Sequence, residues 1–206
     1  FIIVSNRQPF VHVYKKGKVV CQRGTGGLIT ALDPVIRTCN GSWVAWGSGD
    51  ADRKVTDDTG VLRVPPQQPR YTLRRIWLTK EEEVGYYYGY SNEALWPLCH
   101  MAFERPIFRK SDWEIYCAVN RKFAEAVLKE VKNEKAFVFI QDFHLTMLAK
   151  YLKEEKKKVH IFTPSLSIAY LLKDSVCEVT VSGGAVFGEE GYLKKISCLK
   201  TRWPYL

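Results

Sequence analysis

The chain has 206 residues, of which 46% are hydrophobic and 26% are charged. This length can bury a full core in one domain, or in one domain and a fragment, and the composition excludes a disordered chain. The longest apolar runs, such as Ala136–Ile140, are far shorter than the ~20 residues that cross a bilayer. Since the chain also opens without a leader-like pattern, we expect a packed cytoplasmic protein with no membrane association.

The formal net charge of +9 suits any anionic partner, from a nucleic acid to a phosphorylated metabolite. The densest basic run, at 150–158, overlaps a helix-like pattern, which favours a solvated helix end over a binding groove. Six cysteines are scattered without a C-x-x-C pair or a histidine at metal-ligand spacing. They are predicted to be free thiols, and no metal site is expected.

In the first half of the chain, strand patterns are separated by turns and one helix. Residues 1–4 form an unbroken apolar run, which is typical of a strand buried on both faces. A hairpin with a glycine turn is predicted over 11–21. A helix is predicted over 28–36, where Pro34 indicates a kink or an early end. The remaining patterns predict strands at 42–47 and 71–78, with loop or edge structure over 49–70.

The second half alternates helices and strands. Thr79 and Glu82 form a capping-box pattern that opens a helix through Tyr90, and Ser111 begins another helix. The later patterns predict a strand at 136–140, a helix at 145–152 and a strand at 159–162. This alternation, with polar residues at the strand ends, predicts an α/β fold with a Rossmann-like, doubly wound, mainly parallel sheet. Ligands of such folds bind beyond the carboxyl ends of the strands.

Two segments near the start could bind an anion. Arg7 follows the first buried strand, so its guanidinium would project over the carboxyl edge of the sheet and could hold a phosphate. A surface salt bridge is the alternative. The glycines of 24–27 precede a helix and would let backbone N–H groups approach an anion, although a plain turn fits them equally well.

Two further segments could contact a sugar. The tyrosine run 86–90 and Trp96 offer apolar ring faces and polar edges, although at least half of these rings are expected to be core aromatics. Asp142 and His144, at the end of a predicted strand, could bind hydroxyls or transfer a proton. A structural Asp–His pair is the alternative reading.

Several of these segments occur in an order that resembles the trehalose-6-phosphate synthase family. The resemblance covers Phe1 to about Leu152 and rests on a series of short motifs. These motifs are Val4-Ser5-Asn6-Arg7, Gly26-Gly27-Leu28, Trp46-Gly47, Tyr86-Tyr87, Ser91-Asn92, Leu95-Trp96-Pro97, Val119-Asn120 and Gln141-Asp142-Phe143-His144-Leu145.

The resemblance implies a reaction and a set of partners. Members of this family have two Rossmann-like domains and transfer glucose from a nucleotide sugar, UDP-glucose, to glucose-6-phosphate with retention at the anomeric carbon. The resemblance implies no metal and no cofactor. It identifies the chain as the N-terminal, acceptor-binding half of such a retaining hexosyltransferase. The expected partners are a sugar phosphate acceptor and a nucleotide-sugar donor.

The resemblance also assigns residues. Arg7, Tyr87 and Trp96 correspond to contacts with the acceptor phosphate and sugar. Trp46 and Asp142 correspond to further acceptor-site residues, and Asp142 is the catalytic candidate. Gly26 and Gly27 correspond to the loop near the donor diphosphate. The role of His144 stays open.

Two domain assignments follow from these patterns. Residues 1–162 are expected to form the Rossmann-like acceptor-binding domain, and 163–206 a divergent or incomplete tail. At 163–167 the chain reads Thr-Pro-Ser-Leu-Ser, where the family has a histidine-containing segment. We expect these residues to lack the family's donor-binding domain, and we therefore expect the chain to be inactive alone.

Two other functions compete with the enzyme half. One is a non-catalytic sugar-phosphate-binding or regulatory module derived from the same family. The other is a nucleic-acid binder, which is disfavoured because the aromatic residues cluster near Tyr87 and the lysines near Lys156. The sequence leaves the oligomeric state open.

Overall fold

A computed structural model describes residues 1–100, 103–131, 136–154, 159–163, 178–181, 184–187 and 192–194. The strands are β1 (Ile2–Ser5), β2 (Phe10–Lys15), β3 (Lys18–Arg23), β4 (Ser42–Trp46), β5 (Val61–Val64), β6 (Tyr71–Ile76), β7 (Ala136–Ile140), β8 (Val159–Thr163), β9 (Glu178–Val181), β10 (Gly184–Phe187) and β11 (Tyr192–Lys194). The helices are α1 (Gly27–Cys39), α2 (Asp52–Val55), α3 (Lys80–Glu82), α4 (Trp96–Cys99), α5 (Lys110–Glu130) and α6 (Leu148–Glu154). A π-helix (Glu83–Leu95) joins α3 to α4, and a 3-10 turn (Phe143–Leu145) precedes α6.

Nine of these strands form one mixed sheet in the order β11-β10-β9-β8-β7-β1-β4-β6-β5. The six strands from β9 to β6 are parallel to one another. At one edge β5 pairs antiparallel with β6, and at the other β10 pairs antiparallel with both β9 and β11. The hairpin of β2 and β3 forms a separate two-stranded sheet. The predicted α/β fold with a doubly wound, mainly parallel sheet is therefore confirmed.

The core lies on both faces of this sheet, because side chains alternate along each strand. On one face, Val4 of β1 packs with Phe123 of α5 and Leu148 of α6. On the other, Ile3 packs with Ile29 and other residues of α1. All four residues of β1 are buried, which explains why its apolar run does not alternate. Within the described ranges, no helix combines the length and apolar character needed to span a bilayer.

Two helices run further than the sequence indicates. α1 continues through Pro34 to Cys39, so the predicted early end is wrong. Pro34 has no backbone N–H, so the carbonyl of Thr30 lacks its helical hydrogen bond. Both residues are exposed, and water can donate to that carbonyl instead. The capping box of Thr79 is present, yet the helical run passes its predicted end at Tyr90 and reaches Cys99.

Close packing against α5 accompanies this longer helical run. A Cβ atom added to Gly85 would lie 2.6 Å from Cδ1 of Ile115, and one added to Gly89 would lie 2.5 Å from Oδ2 of Asp112. The two glycines therefore let the π-helix approach α5 more closely than any other residue would. In the predicted helix at 145–152, a 3-10 turn forms first and α6 begins at Leu148.

Strands β9, β10 and β11 lie in the segment that the sequence indicates to be a divergent or incomplete tail. They continue the same sheet beyond β8. The altered segment 163–167 has only Thr163 among the described residues, and its remaining four lie outside them. The boundary at residue 162 stays a prediction.

A buried ion pair ties the loop after β1 to the rest of the sheet. Arg75 of β6 and Asp52 of α2 are almost fully buried, and Nη2 of Arg75 lies 2.9 Å from Oδ1 of Asp52. The guanidinium also donates to Oε1 of Gln8 (2.7 Å) and to the carbonyl of Phe10 (3.0 Å). Asp52 accepts bonds from the side-chain amide of Gln8 (2.5 Å) and from the backbone N–H of His12 (2.7 Å). The loop that follows β1 is therefore fixed from within the core.

Asp52→Ala should lower the free energy of unfolding by about 3–5 kcal/mol, because it leaves the buried guanidinium of Arg75 without its counter-charge. Asp58→Ala, which removes an exposed carboxylate, should change it by less than ~0.5 kcal/mol. Urea denaturation of both variants measures the difference. A loss below about 1 kcal/mol for Asp52→Ala, close to the ordinary effect of a point substitution, would show that the pair is not a structural anchor.

The loss of unfolding free energy in Asp52→Ala should depend on pH. Burial opposes ionisation of Asp52, but hydrogen bonds from His12 and Gln8 and the charge of Arg75 outweigh it, so the pKa of Asp52 is lowered. A lowered folded-state pKa stabilises the fold above the unfolded value of ~3.9. The stability lost in Asp52→Ala should therefore be complete above that pH and shrink as the pH falls through the folded-state pKa.

Candidate functional site

The crevice of the sheet lies between β1 and β7. The two strands are neighbours, but the chain continues from them in opposite directions across the sheet. After β1 the next strand of this sheet is β4, on one side, and after β7 it is β8, on the other. Doubly wound folds bind ligands where such connections part, at the carboxyl ends of the strands. Asn6 and Arg7 follow β1 at this point, and Gln141 and Asp142 follow β7. The backbone N–H of Gln141 donates to the carbonyl of Val4 (2.9 Å) and holds the two strand ends together.

Two adjoining cavities open there, of about 360 and about 380 Å³. They share Arg7 and Tyr87 in their walls, and all seven site residues predicted from the sequence line one or both of them. Trp46 lines the smaller cavity. The larger cavity is lined by Gly26, Gly27, Trp96 and Asp142. The structure therefore brings the predicted residues together, and their roles stay predictions.

Arg7 is exposed, and its guanidinium has no carboxylate partner within the described part of the chain. It faces the glycine loop: a Cβ atom on Gly26 would lie 4.0 Å from Nη1 of Arg7. Gly26 has a φ of 119°, a conformation that side chains rarely adopt, and it is the N-cap of α1. The first turn of α1 contains no acidic residue, so the positive end of its dipole is not neutralised there.

The aromatic residues divide between core and site. The ring of Tyr86 is fully buried and its hydroxyl donates to Oδ1 of Asn6 (3.1 Å); burial raises the pKa of this hydroxyl well above its usual value. Tyr87 is half-buried, with its ring centroid 5.9 Å from that of Trp46. Trp96 is 41% exposed and stacks on His100 at 5.0 Å. Tyr87 and Trp96 therefore keep ring surface for a ligand.

Asp142 is held in a strained backbone conformation. Its φ is 76° and its ψ is 165°, a region that residues other than glycine enter at a cost of about 1–3 kcal/mol. Its carboxylate accepts the N–H of Phe143 (2.7 Å) and lies 3.4 Å from Nδ1 of His144. Partial burial opposes ionisation, but His144 and the N–H of Phe143 outweigh it and lower the pKa of Asp142. The carboxylate is therefore ionised near neutral pH.

Sequence reasoning missed several residues around these cavities. His100 lines the larger one, and its position four residues after Trp96 was the available signal, since side chains at this spacing meet on a helix. Gln8 lines the smaller cavity and is joined to the buried pair of Asp52 and Arg75. No local pattern indicates that pair, because its members lie far apart in the sequence.

A family model describes most of the chain. The model of glycosyltransferase family 20 matches residues 1–172. The chain belongs to glycosyltransferase family 20. The match reaches past Leu152, where the motif resemblance ends.

Relatives in the same family include two mycobacterial proteins. The trehalose-6-phosphate synthase of Mycolicibacterium vanbaalenii is 35% identical over 173 residues, which cover 84% of this chain and 33% of that protein. The trehalose-6-phosphate synthase of Mycobacterium tuberculosis strain H37Rv is 34% identical over 173 residues, with coverage of 84% and 33%. The chain thus spans about a third of the length of the curated relatives it matches.

Two solved structures share the fold. One is an alpha,alpha-trehalose-phosphate synthase (UDP-forming) from Burkholderia xenovorans in complex with glucose-6-phosphate; it has a TM-score of 0.56 and 23% identity, over 82% of this chain and 35% of that chain. Another, described as trehalose-6-phosphate from E. coli bound with UDP-2-fluoro glucose, has a TM-score of 0.58 and 23% identity, over 83% and 35%. At this identity the likeness establishes the fold alone.

The strain at Asp142 can be measured with paired substitutions. Asp142→Gly should be more stable than Asp142→Ala by about 1 kcal/mol, because both remove the carboxylate but only glycine adopts this φ and ψ freely. Glu125 is exposed in the middle of α5 and serves as the control. There the alanine variant should be more stable than the glycine variant by about 1 kcal/mol, because glycine is unfavourable inside a helix. Urea denaturation gives all four values. An alanine variant at position 142 as stable as the glycine variant would contradict the strained conformation.

Proposed function

We propose that this chain is the acceptor-binding half of a retaining glucosyltransferase and binds glucose-6-phosphate in the crevice between β1 and β7. The observation that carries this proposal is the guanidinium of Arg7. It has no carboxylate partner in the described ranges and lies over the same cavity as the ionised carboxylate of Asp142. A ligand that combines an anionic group with several hydroxyls fits this arrangement of charges.

The phosphate end of the ligand would bind at Arg7. A guanidinium holds a phosphate through two parallel N–H bonds, and the N-terminus of α1 adds backbone N–H groups and a favourable dipole. Tyr87 lies in the wall that both cavities share, and its hydroxyl would be a further donor. The volume of about 380 Å³ suits a small ligand of this kind.

The sugar end would lie against the rings of the two tryptophans, of which one is exposed and the other partly buried. Trp96 and Trp46 offer apolar faces to the C–H groups of a sugar, and Asp142 accepts bonds from its hydroxyls. Because the pKa of Asp142 is lowered, its carboxylate is a weak base. We therefore assign it the role of orienting the attacking hydroxyl during transfer, rather than of removing its proton before the transition state.

The donor in this proposal is UDP-glucose, with its diphosphate near Gly26 and Gly27. The transfer would proceed with retention, and the charge that develops on the leaving diphosphate must be stabilised by fixed positive groups. We propose that most of these groups belong to the part of the family 20 enzyme that this chain does not span. On this proposal, residues 1–162 are the acceptor domain of a cytoplasmic enzyme.

Arg7→Ala should weaken binding of glucose-6-phosphate by roughly ten- to a hundredfold, since a charge-assisted bond contributes about 1.5–3 kcal/mol. Its binding of glucose should change little. Arg70→Ala is the matched control, because Arg70 is also exposed but precedes β6 at the opposite edge of the sheet. Calorimetric titration of each variant with both sugars measures the effect. An unchanged dissociation constant for glucose-6-phosphate in Arg7→Ala would refute the phosphate role.

The 206 residues alone should release no UDP above background when supplied with UDP-glucose and glucose-6-phosphate. Each missing electrostatic contact to the leaving group costs about 10² to 10³ in rate, and several would be missing together. A coupled assay for UDP, with a full-length family 20 enzyme as positive control, checks this. Sustained release that requires glucose-6-phosphate and disappears in Asp142→Ala would show that the chain is catalytically sufficient.

A further inference from the structure

His144 is a buried histidine between two residues of the proposed acceptor site. Its Nδ1 lies 3.4 Å from Oδ2 of Asp142. Its ring stacks on that of Tyr87, with a centroid distance of 5.7 Å and an angle of 14° between the ring planes. The residue is 9% exposed and lines the larger cavity. One imidazole therefore contacts both Asp142 and Tyr87.

The backbone of His144 is held by α5. The side-chain amide of Asn120, a fully buried residue of α5, donates to the carbonyl of His144 (3.1 Å). Tyr116, also in α5, donates through its hydroxyl to the carbonyl of the preceding residue, Phe143 (2.7 Å). The imidazole is thus carried by a rigid element of the fold rather than by a free loop.

Burial of this imidazole is unfavourable unless its ring nitrogens form hydrogen bonds. Neither ring nitrogen of His144 has a hydrogen-bond partner of normal geometry in the described part of the chain. A buried polar group without a partner costs about 1–3 kcal/mol, and a phenylalanine would stack on Tyr87 without that cost. The carboxylate of Asp142 is an acceptor that can offset this cost, and its Oδ2 lies 3.4 Å from Nδ1 of His144, slightly farther than in a normal hydrogen bond.

We propose that His144 is a positioning residue, which orients the carboxylate of Asp142 through its Nδ1–H while its ring supports Tyr87. The proposal rests on the proposed function for the ligand and deepens it. In the neutral imidazole one nitrogen carries the proton and the other accepts. Here Nδ1 carries the proton and Nε2 keeps its lone pair. In many enzymes, hydrogen bonds between site residues tighten in the complex with substrate.

Two other histidines of the chain provide reference tautomers. Nδ1 of His12 lies 2.9 Å from Nη2 of Arg75, and since a guanidinium can only donate, His12 must carry its proton on Nε2. Nδ1 of His100 lies 2.9 Å from the carbonyl of Trp96, which can only accept, so His100 carries its proton on Nδ1. His144 should give the NMR spectrum of an Nδ1–H tautomer, like that of His100.

The first test is long-range ¹H–¹⁵N NMR of the full 206-residue chain at pH 8, with the His144 signals assigned by their loss in His144→Phe. We expect the Nδ1–H tautomer of His144, strengthened by glucose-6-phosphate, and a change to the Nε2–H tautomer in Asp142→Ala. A His144 that is protonated on Nε2 in the unsubstituted chain, or that does not respond to Asp142→Ala, overturns the proposal. The tautomer in the empty chain tests the positioning role even if glucose-6-phosphate does not bind.

The second test separates the donor from the ring. His144→Phe keeps the ring and removes Nδ1–H, whereas His144→Asn keeps an amide N–H close to the place of Nδ1 and removes the ring. Calorimetry with glucose-6-phosphate should give about a tenfold loss of affinity in His144→Phe and a smaller loss in His144→Asn. Thermal unfolding of both variants identifies any loss that is due to misfolding.

The third test is a double-substitution cycle, which distinguishes positioning from an independent contribution. If His144 acts through Asp142, the chain with both Asp142→Ala and His144→Phe should bind glucose-6-phosphate no more weakly than Asp142→Ala alone. Losses that add together would show that His144 does not act through Asp142. Absence of binding in the unsubstituted chain would count against the proposed function, and the NMR test would then decide on the positioning role.

Discussion

The buried ion pair of Arg75 and Asp52 is the constraint on which the site depends. Two opposite charges inside a core lose their hydration, and the loss is offset only when their remaining donors and acceptors are also bonded. Here those bonds reach Gln8, Phe10 and His12, which belong to the loop after β1 and to the start of the hairpin. The pair therefore fixes, through its hydrogen bonds, the loop that carries Arg7 over the crevice.

The opposite wall of the crevice depends on a different constraint, the close approach of two helical segments. Gly85 and Gly89 have no side chains where α5 passes, and this lets the π-helix lie against α5 along its length. Such segments are rare and often occur at functional sites. Tyr87 and Trp96 come from this helical run and line the larger cavity. Trp96 lies in a helix because the run continues beyond Tyr90.

The charges of the site are arranged so that they do not cancel. Arg7 and Asp142 line the same cavity, yet no ion pair joins them in the described structure. Burial opposes ionisation of Asp142, but interactions with His144 and with the N–H of Phe143, and a further contribution from His100, lower its pKa. A cation and an anion are thus both available to one ligand, as a phosphate with neighbouring hydroxyls requires.

The motif resemblance supplied seven of the residues that line the crevice, but not Gln8 or His100. The sequence by itself determined the α/β class, the buried strands β1 and β7, the capping box at Thr79 and the position of Arg7 and Asp142 at the carboxyl edge of the sheet. These features follow from short-range patterns: an apolar run marks a buried strand, and the residue after it must lie at the edge of the sheet. Tertiary structure decided the rest. Three contacts join residues that are far apart in the chain, so no local pattern encodes them. They are the pairing of Arg75 with Asp52, the packing of the π-helix against α5 and the stacking of His144 on Tyr87. The continuation of α1 beyond Pro34 likewise depended on the tertiary structure, because it places Pro34 on the exposed face of the helix.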